Sequence, residues 1–263
     1  MTRVTRTLAY GGEPDQVGDL HLPAGPGPHP VTVVIHGGFW RAAYARSLGT
    51  PLAADLAAHG IAAWNIEYRR VGAGGGWPAT LHDVAAAVDH IAELAGEFAL
   101  DTARVTAVGH SAGGQLAGWL AGRDVLAAGA PGSGPRVRLI GAVSQAGVLD
   151  LRDAARHRLG AGAVEAFLGG SPRRVPERYA IASPVQLMPA RVPVVCVHGR
   201  ADDIVPLRQS ERYAAAAGDL GRVHVVDGGH FAVIDVGGPA WQLAVRAVSG
   251  WQSGPGAASP RLP

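Results

Sequence analysis

Short apolar runs alternate with longer segments of helical periodicity along most of the chain. Six of these runs predict strands, at residues 31–35, 61–66, 104–108, 139–144, 192–197 and 223–226. Several runs are continuous rather than alternating, which is typical of strands covered on both faces in a parallel sheet. Helical patterns lie between and after them, at residues 48–59, 81–95, 113–122, 207–217 and 240–251. The alternation predicts an α/β fold with a mostly parallel central sheet and helices on both faces.

Three other segments complete the predicted organisation. Residues 4–9 and 17–22, joined through Gly11 and Gly12, predict an antiparallel hairpin at one edge of the sheet. Residues 147–191 contain helical pieces separated by prolines, and we expect a small helical lid insertion there. With neither repeats nor a clear linker, residues 1–251 are predicted to form one domain, followed by a flexible tail at 252–263.

Composition narrows the classes of chemistry. The 263 residues include one cysteine, Cys196, and no lysine. An internal disulfide framework, a zinc ribbon and a Cys-x-x-Cys centre are thereby excluded, as are sites that need a P-loop or Schiff-base lysine. The histidines lack the spacing of a metal motif, so no metal and no cofactor are expected.

Charge and hydropathy bear on partners and location. The net charge is +2 without any basic run, which argues against nucleic-acid binding. No apolar stretch is long enough for a transmembrane helix, and the first residues lack the apolar core of a signal peptide. We expect a cytoplasmic protein that acts away from membranes, and the sequence makes no prediction about its oligomeric state.

The sequence GHSAG at residues 109–113 is a G-x-S-x-G motif between a predicted strand and a predicted helix. In such a turn the flanking glycines let the backbone pack closely and leave the serine hydroxyl accessible. The motif by itself is weak in a chain with 38 glycines, and a helix N-cap is the alternative role for Ser111. The strand-turn-helix context favours Ser111 as a nucleophile.

A second glycine motif, HGGFW at residues 36–40, directly follows the strand predicted at 31–35. Acyl transfer requires backbone N–H groups directed at the oxyanion that develops on the attacked carbonyl. A glycine-rich turn at a strand end can present such donors. We expect the donors to be Gly38, Phe39 and Ala112, which directly follows the serine.

Two further motifs supply a candidate acid and a candidate base. HGRADDIVP at 198–206 and GGHF at 228–231 each lie at the end of a predicted strand. Asp202 is placed to orient an imidazole, and His230 is the histidine best placed to act as base. The order Ser111, Asp202, His230 matches the chain order of α/β-hydrolase triads. Asp203 and Asp150 are the alternative acids.

The remaining histidines and aromatics near the motifs receive weaker assignments. His36 and His198 begin glycine motifs and are expected to hydrogen-bond the loop backbone, while His110 is expected to pack beside the sheet. Aromatic side chains close to the motif loops are predicted to form a substrate-binding wall, with ordinary core or rim packing as the alternative. The members of this wall are Trp40, Trp77 and Phe231, with Phe39 beside them.

From about residue 17 to residue 251 the chain resembles serine hydrolases of the α/β-hydrolase superfamily. HGGFW, GHSAGG, HGRADDIVP and GGHF, with NIEYRR at 65–70 and GGGWP at 74–78, are similar to bacterial hydrolases related to arylformamidase (kynurenine formamidase) and to feruloyl-esterase-like proteins. The resemblance implies a triad of Ser111, Asp202 and His230. Two departures are Ala232, where relatives usually have aspartate, and Gln115, where a histidine is expected. Both departures bear on substrate preference or on the surroundings of His230, the predicted base.

Together these features predict a metal-independent serine hydrolase that cleaves a small-molecule carboxylic ester or activated amide through an acyl-enzyme. Arylformamidase-like and carboxylesterase-like activities both fit. The alternatives are a small peptidase or aminoacyl-ester hydrolase, a tailoring acyltransferase of secondary metabolism, and a non-catalytic ligand receptor, which the intact motifs disfavour.

Overall fold

A computed structural model describes residues 4–253 and shows one eight-stranded sheet in the order β1-β2-β4-β3-β5-β6-β7-β8. The first two strands and β4 pair antiparallel, and all other pairs are parallel. The strands are β1 Val4–Ala9, β2 Val17–Leu22, β3 His29–Ile35, β4 Ala62–Ile66, β5 Leu100–His110, β6 Leu139–Gln145, β7 Val194–Gly199 and β8 Gly221–Val226. The predicted α/β fold, its strands and the edge hairpin are therefore confirmed.

The α-helices of the described residues are α1 Thr50–Ala58, α2 Ala79–Asp89, α3 Ile91–Phe98, α4 Ala112–Ala121, α5 Leu151–Arg156, α6 Leu159–Leu168, α7 Pro176–Ala182, α8 Arg208–Ala217 and α9 Pro239–Gln252. The prediction of a single helix at 81–95 was wrong. The segment forms two helices that meet at His90, and the ψ of −21° at this residue is typical of a 3-10 turn. Between residues 4 and 253, no helix has the length and apolar character needed to cross a membrane.

Helices cover both faces of the sheet because successive strand residues point to opposite sides. On β3, Val33 and Ile35 belong to the larger core cluster, whereas Val34 belongs to the smaller one. Helices α1 and α9 pack on the smaller cluster, through residues such as Leu56 and Trp241. The larger cluster lies beneath α2, α4 and the helices between β6 and β7.

The segment predicted as a lid, residues 147–191, folds into α5, α6 and α7. Its side chains Val164, Phe167 and Tyr179 are fully buried in the larger core cluster, so the segment is packed onto the sheet domain. The start of α6 contacts the loop after β3, where the Arg41 guanidinium donates to the Gly160 carbonyl. The insertion therefore reaches the candidate site, and its action as a lid remains a prediction.

The C-terminal boundary predicted for the tail needs correction at its first residue. Gln252 ends α9 and is buried, and its side-chain amide donates a hydrogen bond of 2.9 Å to the Val31 carbonyl. An amide that tethers the helix to β3 cannot begin a flexible tail. Residues 254–263 of the predicted tail, like residues 1–3 of the predicted domain, lie outside the described residues.

Candidate active site

Ser111 occupies a strained turn between β5 and α4. Its φ of 55° and ψ of −115° lie in a region that costs a residue other than glycine about 1–3 kcal/mol. Two backbone hydrogen bonds maintain this conformation, one from the Ser111 N–H to the Gln145 carbonyl (2.8 Å) and one from the Gln115 N–H to the Ser111 carbonyl (3.0 Å). The serine is thus fixed at the carboxyl end of a central strand.

The glycines of the G-x-S-x-G motif are required by close backbone contacts. A methyl group on Gly113 would lie 2.1 Å from the Ile35 carbonyl oxygen, and one on Gly109 would lie 2.1 Å from the Gly113 carbonyl oxygen. Neither distance is sterically possible. The motif therefore lets the first turn of α4 pack directly against the ends of β3 and β5.

Asp202 and His230 form the hydrogen-bonded pair that the sequence predicts. The Nδ1 nitrogen of His230 lies 2.8 Å from Oδ2 of Asp202, and the other carboxylate oxygen accepts from the N–H groups of Ile204 and Val205. Burial alone would raise the pKa of Asp202, but the hydrogen bonds from His198 and His230 outweigh it and hold that pKa well below its usual range. Because Asp202 is ionised, Nδ1 of His230 donates and Nε2 is free to accept a proton.

His110 links the serine turn to the loop of His230. Its Nε2 donates a hydrogen bond of 2.9 Å to the His230 carbonyl, and the two rings lie 4.6 Å apart. Burial, together with the charge of His230, lowers the pKa of His110 to about 4. His110 is therefore neutral at pH 7. It does more than pack beside the sheet, because as the residue before Ser111 it fastens the His230 loop to the serine turn.

The two alternative acids have other surroundings. Asp203 is exposed, whereas Asp150 caps helix α5 by accepting from the Asp153 N–H (3.0 Å). Asp150 also accepts a hydrogen bond of 2.7 Å from Arg212. Of the three candidate acids, only Asp202 contacts His230.

The loop of the HGGFW motif packs against the serine turn. A methyl group on Gly37 would lie 3.1 Å from Cβ of Ser111. The next three residues all have positive φ, with values of 113° at Gly38, 50° at Phe39 and 56° at Trp40. The N–H groups of Gly38 and Phe39 have no hydrogen-bond partner among residues 4–253. Ala112 lies in the first turn of α4, where N–H groups have no partner within the helix.

Trp40 anchors this loop from inside the core. Its side chain is fully buried, its ring stacks on Phe167 at 4.6 Å, and its Nε1 donates a hydrogen bond of 2.9 Å to Gln115. The amide of Gln115 also donates to the Ala182 carbonyl (2.8 Å). Gln115, the departure from the expected histidine, thus connects the loop to the insertion. The assignment of Trp40 to a substrate wall conflicts with its lack of exposed surface.

The other predicted aromatic residues retain exposed surface. Phe231 is 64% exposed and its ring lies edge-on to His230 with centroids 5.3 Å apart. Trp77 is half-buried, with the Arg178 guanidinium 5.8 Å above its ring. Phe39 is also half-buried, and its ring lies against Gly160 of the insertion.

The expected backbone contacts of the two motif histidines are confirmed. His36 bonds the Gly37 carbonyl at 2.8 Å, and His198 donates to the Val205 carbonyl at 2.8 Å. The sequence motifs do not single out Glu67, whose carboxylate lies 2.8 Å from the second ring nitrogen of His36. Its signal was available, because Glu67 is the acid of the NIEYRR segment and directly follows β4. Within the described range, 4–253, no cluster of three His, Cys, Asp or Glu residues is arranged to hold a metal ion.

Comparison with known families decides the relationship. The model of the BD-FAE family matches residues 19–216, which is most of the chain. The chain belongs to the BD-FAE family. This is a family of the α/β-hydrolase esterase type, and the matched BD-FAE region contains the HGGFW loop, the Ser111 turn and the acid Asp202. His230 lies beyond the matched region.

A curated relative of this BD-FAE chain carries an esterase name. Esterase LipQ of Mycobacterium tuberculosis is 30% identical over 205 residues, which are 74% of this chain and 47% of LipQ. The chain therefore spans about half the length of the curated relative it matches.

Solved structures share the fold of the BD-FAE chain. A truncated carbohydrate esterase from gut microbiota is 20% identical with a TM-score of 0.79, over 96% of this chain and 97% of that one. Est2 of Thermogutta terrifontis, solved with butyrate bound, is 21% identical with a TM-score of 0.74, over 98% and 96% of the two chains. A bifunctional GH43-CE protein of Bacteroides eggerthii is 23% identical with a TM-score of 0.78, over 93% of this chain and 37% of that one. These likenesses confirm the α/β-hydrolase fold.

Proposed function

We propose that this BD-FAE protein hydrolyses small carboxylic esters with a triad of Ser111, His230 and Asp202. The observation that carries the proposal is the 2.8 Å bond from His230 to an ionised Asp202, on a loop fastened by His110 to the strained Ser111 turn. A nucleophile, an oriented base and the acid that orients it are the elements that acyl transfer requires.

In the proposed reaction Ser111 Oγ attacks the ester carbonyl carbon while Nε2 of His230 takes the hydroxyl proton. The tetrahedral intermediate collapses, the bond to the alcohol oxygen breaks, and His230 returns the proton to that oxygen. Water then attacks the acyl-enzyme, with His230 again accepting a proton. The acid product leaves and Ser111 regains its proton. Asp202 stabilises the imidazolium that forms in each half-reaction.

We assign the oxyanion site to the N–H groups of Gly38, Phe39 and Ala112. Support comes from the unpaired N–H groups of the loop, the start of α4 at Ala112 and the contact of Gly37 with the serine turn. A helix N-terminus adds favourable partial positive charge for a developing anion. One donor of this kind is worth about 2.7–4 kcal/mol of transition-state stabilisation.

We propose that Phe231, Phe39 and Trp77 line the approach to Ser111, and that Trp40 supports the oxyanion loop from within. The exposure of Phe231 beside His230 and the half-burial of the other two support this division. A short acyl group is the substrate that we favour, since Est2 of Thermogutta terrifontis shares the fold and was solved with butyrate and with propionate bound. A formamide is the second candidate, because the HGGFW segment resembles arylformamidases.

The test compares initial hydrolysis rates of p-nitrophenyl acetate and N-formylkynurenine, with Ser111→Ala as the blank. Serine-dependent turnover of the acetate supports the proposed esterase. Additional serine-dependent deformylation of the second compound extends the function to formamides. Equal, background rates for wild type and Ser111→Ala on both compounds would refute the proposal and favour a receptor or an acyltransferase with another acceptor.

A further inference from the structure

Both ring nitrogens of His36 face oxygen atoms that only accept hydrogen bonds. Nδ1 lies 2.8 Å from the Gly37 carbonyl oxygen, and Nε2 lies 2.8 Å from Oε1 of Glu67. A carbonyl oxygen and a carboxylate oxygen have no hydrogen to donate. A neutral imidazole carries one N–H and an imidazolium carries two. The full set of bonds therefore requires His36 to be protonated on both nitrogens.

The surroundings of Glu67 show that its carboxyl group is ionised. Besides His36, Oε1 accepts from the Tyr68 N–H (3.1 Å) and faces Arg70 at 2.9 Å, and Oε2 accepts from the Arg46 N–H (2.9 Å). Burial alone would raise the pKa of Glu67, but the bond and charge of His36 and the Arg46 N–H outweigh it and lower that pKa. Among these neighbours, a proton on Oε1 could be accepted by Nε2 of a neutral His36 alone. That proton would weaken the pairing of Oε1 with Arg70 and with the Tyr68 N–H, so the ionised carboxylate fits its surroundings better.

The charges around His36 balance when the ring is an imidazolium. Arg70 pairs with Glu67 on one side and with Asp15 (2.8 Å) on the other, so two cations face two anions. Two tyrosines are also close to the pair. The ring of Tyr68 stacks on His36 at 4.5 Å and its hydroxyl donates to the His36 carbonyl (2.9 Å), while the Tyr10 hydroxyl donates to the Glu67 backbone carbonyl (2.6 Å). An aromatic face of this kind attracts a cation.

We propose that His36 is an imidazolium that positions and polarises the Gly38 N–H donor, with Glu67 as its counter-ion. The Gly37 carbonyl and the Gly38 N–H belong to one planar peptide group and point in opposite directions. A bond from His36 to that carbonyl therefore fixes the direction of the Gly38 N–H. It also increases the dipole of the peptide, which strengthens the N–H as a donor. The catalytic part of this inference rests on the proposed oxyanion site.

His36 acts through the loop and does not touch the substrate, so it is a positioning residue. A neutral ring would have to give up either the bond to Glu67 or the bond to Gly37. Loss of the second bond would release the peptide that carries the donor. The transition state would then be affected more than the bound substrate, so kcat should fall while KM stays unchanged.

The direct test is long-range proton–nitrogen NMR of the full chain labelled with 15N-histidine, with His36→Gln used to assign the signals. We expect His36 to show two protonated ring nitrogens at neutral pH, whereas His110 should show one protonated and one unprotonated nitrogen. A single protonated nitrogen on His36 would overturn the proposal. This measurement needs only the wild-type fold and no substrate.

The kinetic test is Glu67→Gln, which keeps an acceptor near Nε2 but removes the counter-charge. Loss of a whole oxyanion donor costs about 10²–10³-fold in kcat, so a misaligned donor should cost about 10- to 100-fold. Asp101→Asn is the control, because it removes a carboxylate from an ion pair with Arg104 (2.7 Å) at the opposite end of β5 from the serine turn, and its kcat should stay unchanged. Glu67→Gln should also convert His36 to a ring with one protonated nitrogen.

The outcomes separate this inference from the proposed function. Wild-type kcat in a Glu67→Gln protein whose His36 has become neutral would overturn the positioning role while the esterase proposal stands. Absence of Ser111-dependent hydrolysis in the wild type would refute the esterase and the catalytic part of this inference together. The NMR measurement decides the imidazolium in either case.

Discussion

Replacing Asp202 by asparagine should abolish most activity by reversing the tautomer of His230. The Oδ1 atom of Asp202 accepts from the N–H groups of Ile204 and Val205, at 2.9 and 2.8 Å. The asparagine oxygen keeps these two bonds, and its NH₂ group must then face Nδ1 of His230. An NH₂ group cannot accept a hydrogen bond, so Nδ1 loses its hydrogen and Nε2 gains one.

The size of the effect follows from the role of that nitrogen. With a hydrogen on Nε2, His230 cannot take the proton of Ser111, and the imidazolium also loses its counter-ion. The corresponding change in a serine protease triad lowers kcat about 10⁴-fold. At about 1.36 kcal/mol for each factor of ten, this is a loss of about 5 kcal/mol of transition-state stabilisation.

The assay is kcat for p-nitrophenyl acetate, with circular dichroism to show that the fold is retained. Asp203→Asn is the matched control, because the neighbouring side chain is exposed and lies outside the proposed triad. Its kcat should equal that of the wild type. Nearly full activity in Asp202→Asn, or an equal loss in Asp203→Asn, would refute this role of Asp202.

Three further predictions concern stability. Gly113→Ala should lower the free energy of unfolding by about 1–3 kcal/mol or more, because its methyl group would lie 2.1 Å from the Ile35 carbonyl oxygen. Gly96→Ala lies in helix α3 with open space around it and should raise the free energy of unfolding by up to about 1 kcal/mol. Equal effects of Gly113→Ala and Gly96→Ala in urea unfolding would contradict this. Ser111→Gly should be about 1 kcal/mol more stable than Ser111→Ala, since glycine tolerates the φ of 55°, and the opposite order in thermal melts would refute it. Burial lowers the pKa of His110 to about 4 from its ordinary value of 6.5, so the unfolded chain binds more protons between these values and stability falls with falling pH. The wild type should lose about 2 kcal/mol more than His110→Gln between pH 7 and pH 5, and parallel urea-unfolding curves would contradict this.

The architecture could be predicted because buried parallel strands leave a strong pattern. Continuous apolar runs such as residues 31–35 and 192–197 fall on β3 and β7, and the elements around the motifs have the predicted types. Motif order along the chain predicted which acid would meet which base. The structure places Asp202 against His230 because β7 and β8 are neighbours in the sheet.

Side-chain direction within loops was harder to predict. The position of Trp40 in HGGFW suggested a place near the substrate, but left-handed backbone at Phe39 and Trp40 accompanies an indole buried in the core. Sequence proximity to a motif carries no information about such a turn. The burial of Gln252 also depends on tertiary contacts that periodicity does not describe.

The His36–Glu67 pair could have been found from strand register. Ile35 and Ile66 are partners in the parallel pairing of β3 with β4. His36 directly follows the end of β3, and Glu67 directly follows the end of β4. The two side chains therefore leave the sheet next to each other. A histidine and an acid that each follow a buried apolar run are a usable signal once the two strands are taken as neighbours.

Detection of a covalent acyl-enzyme is the most direct test of Ser111 as the nucleophile. Wild-type protein would be mixed with p-nitrophenyl acetate, quenched with acid during turnover and analysed by mass spectrometry of the intact chain and its peptides. We expect one acetyl group on Ser111, with a p-nitrophenol burst of matching size and neither signal in Ser111→Ala. Hydrolysis that persists in Ser111→Ala, or an acetyl group on another residue of the active wild type, would contradict it.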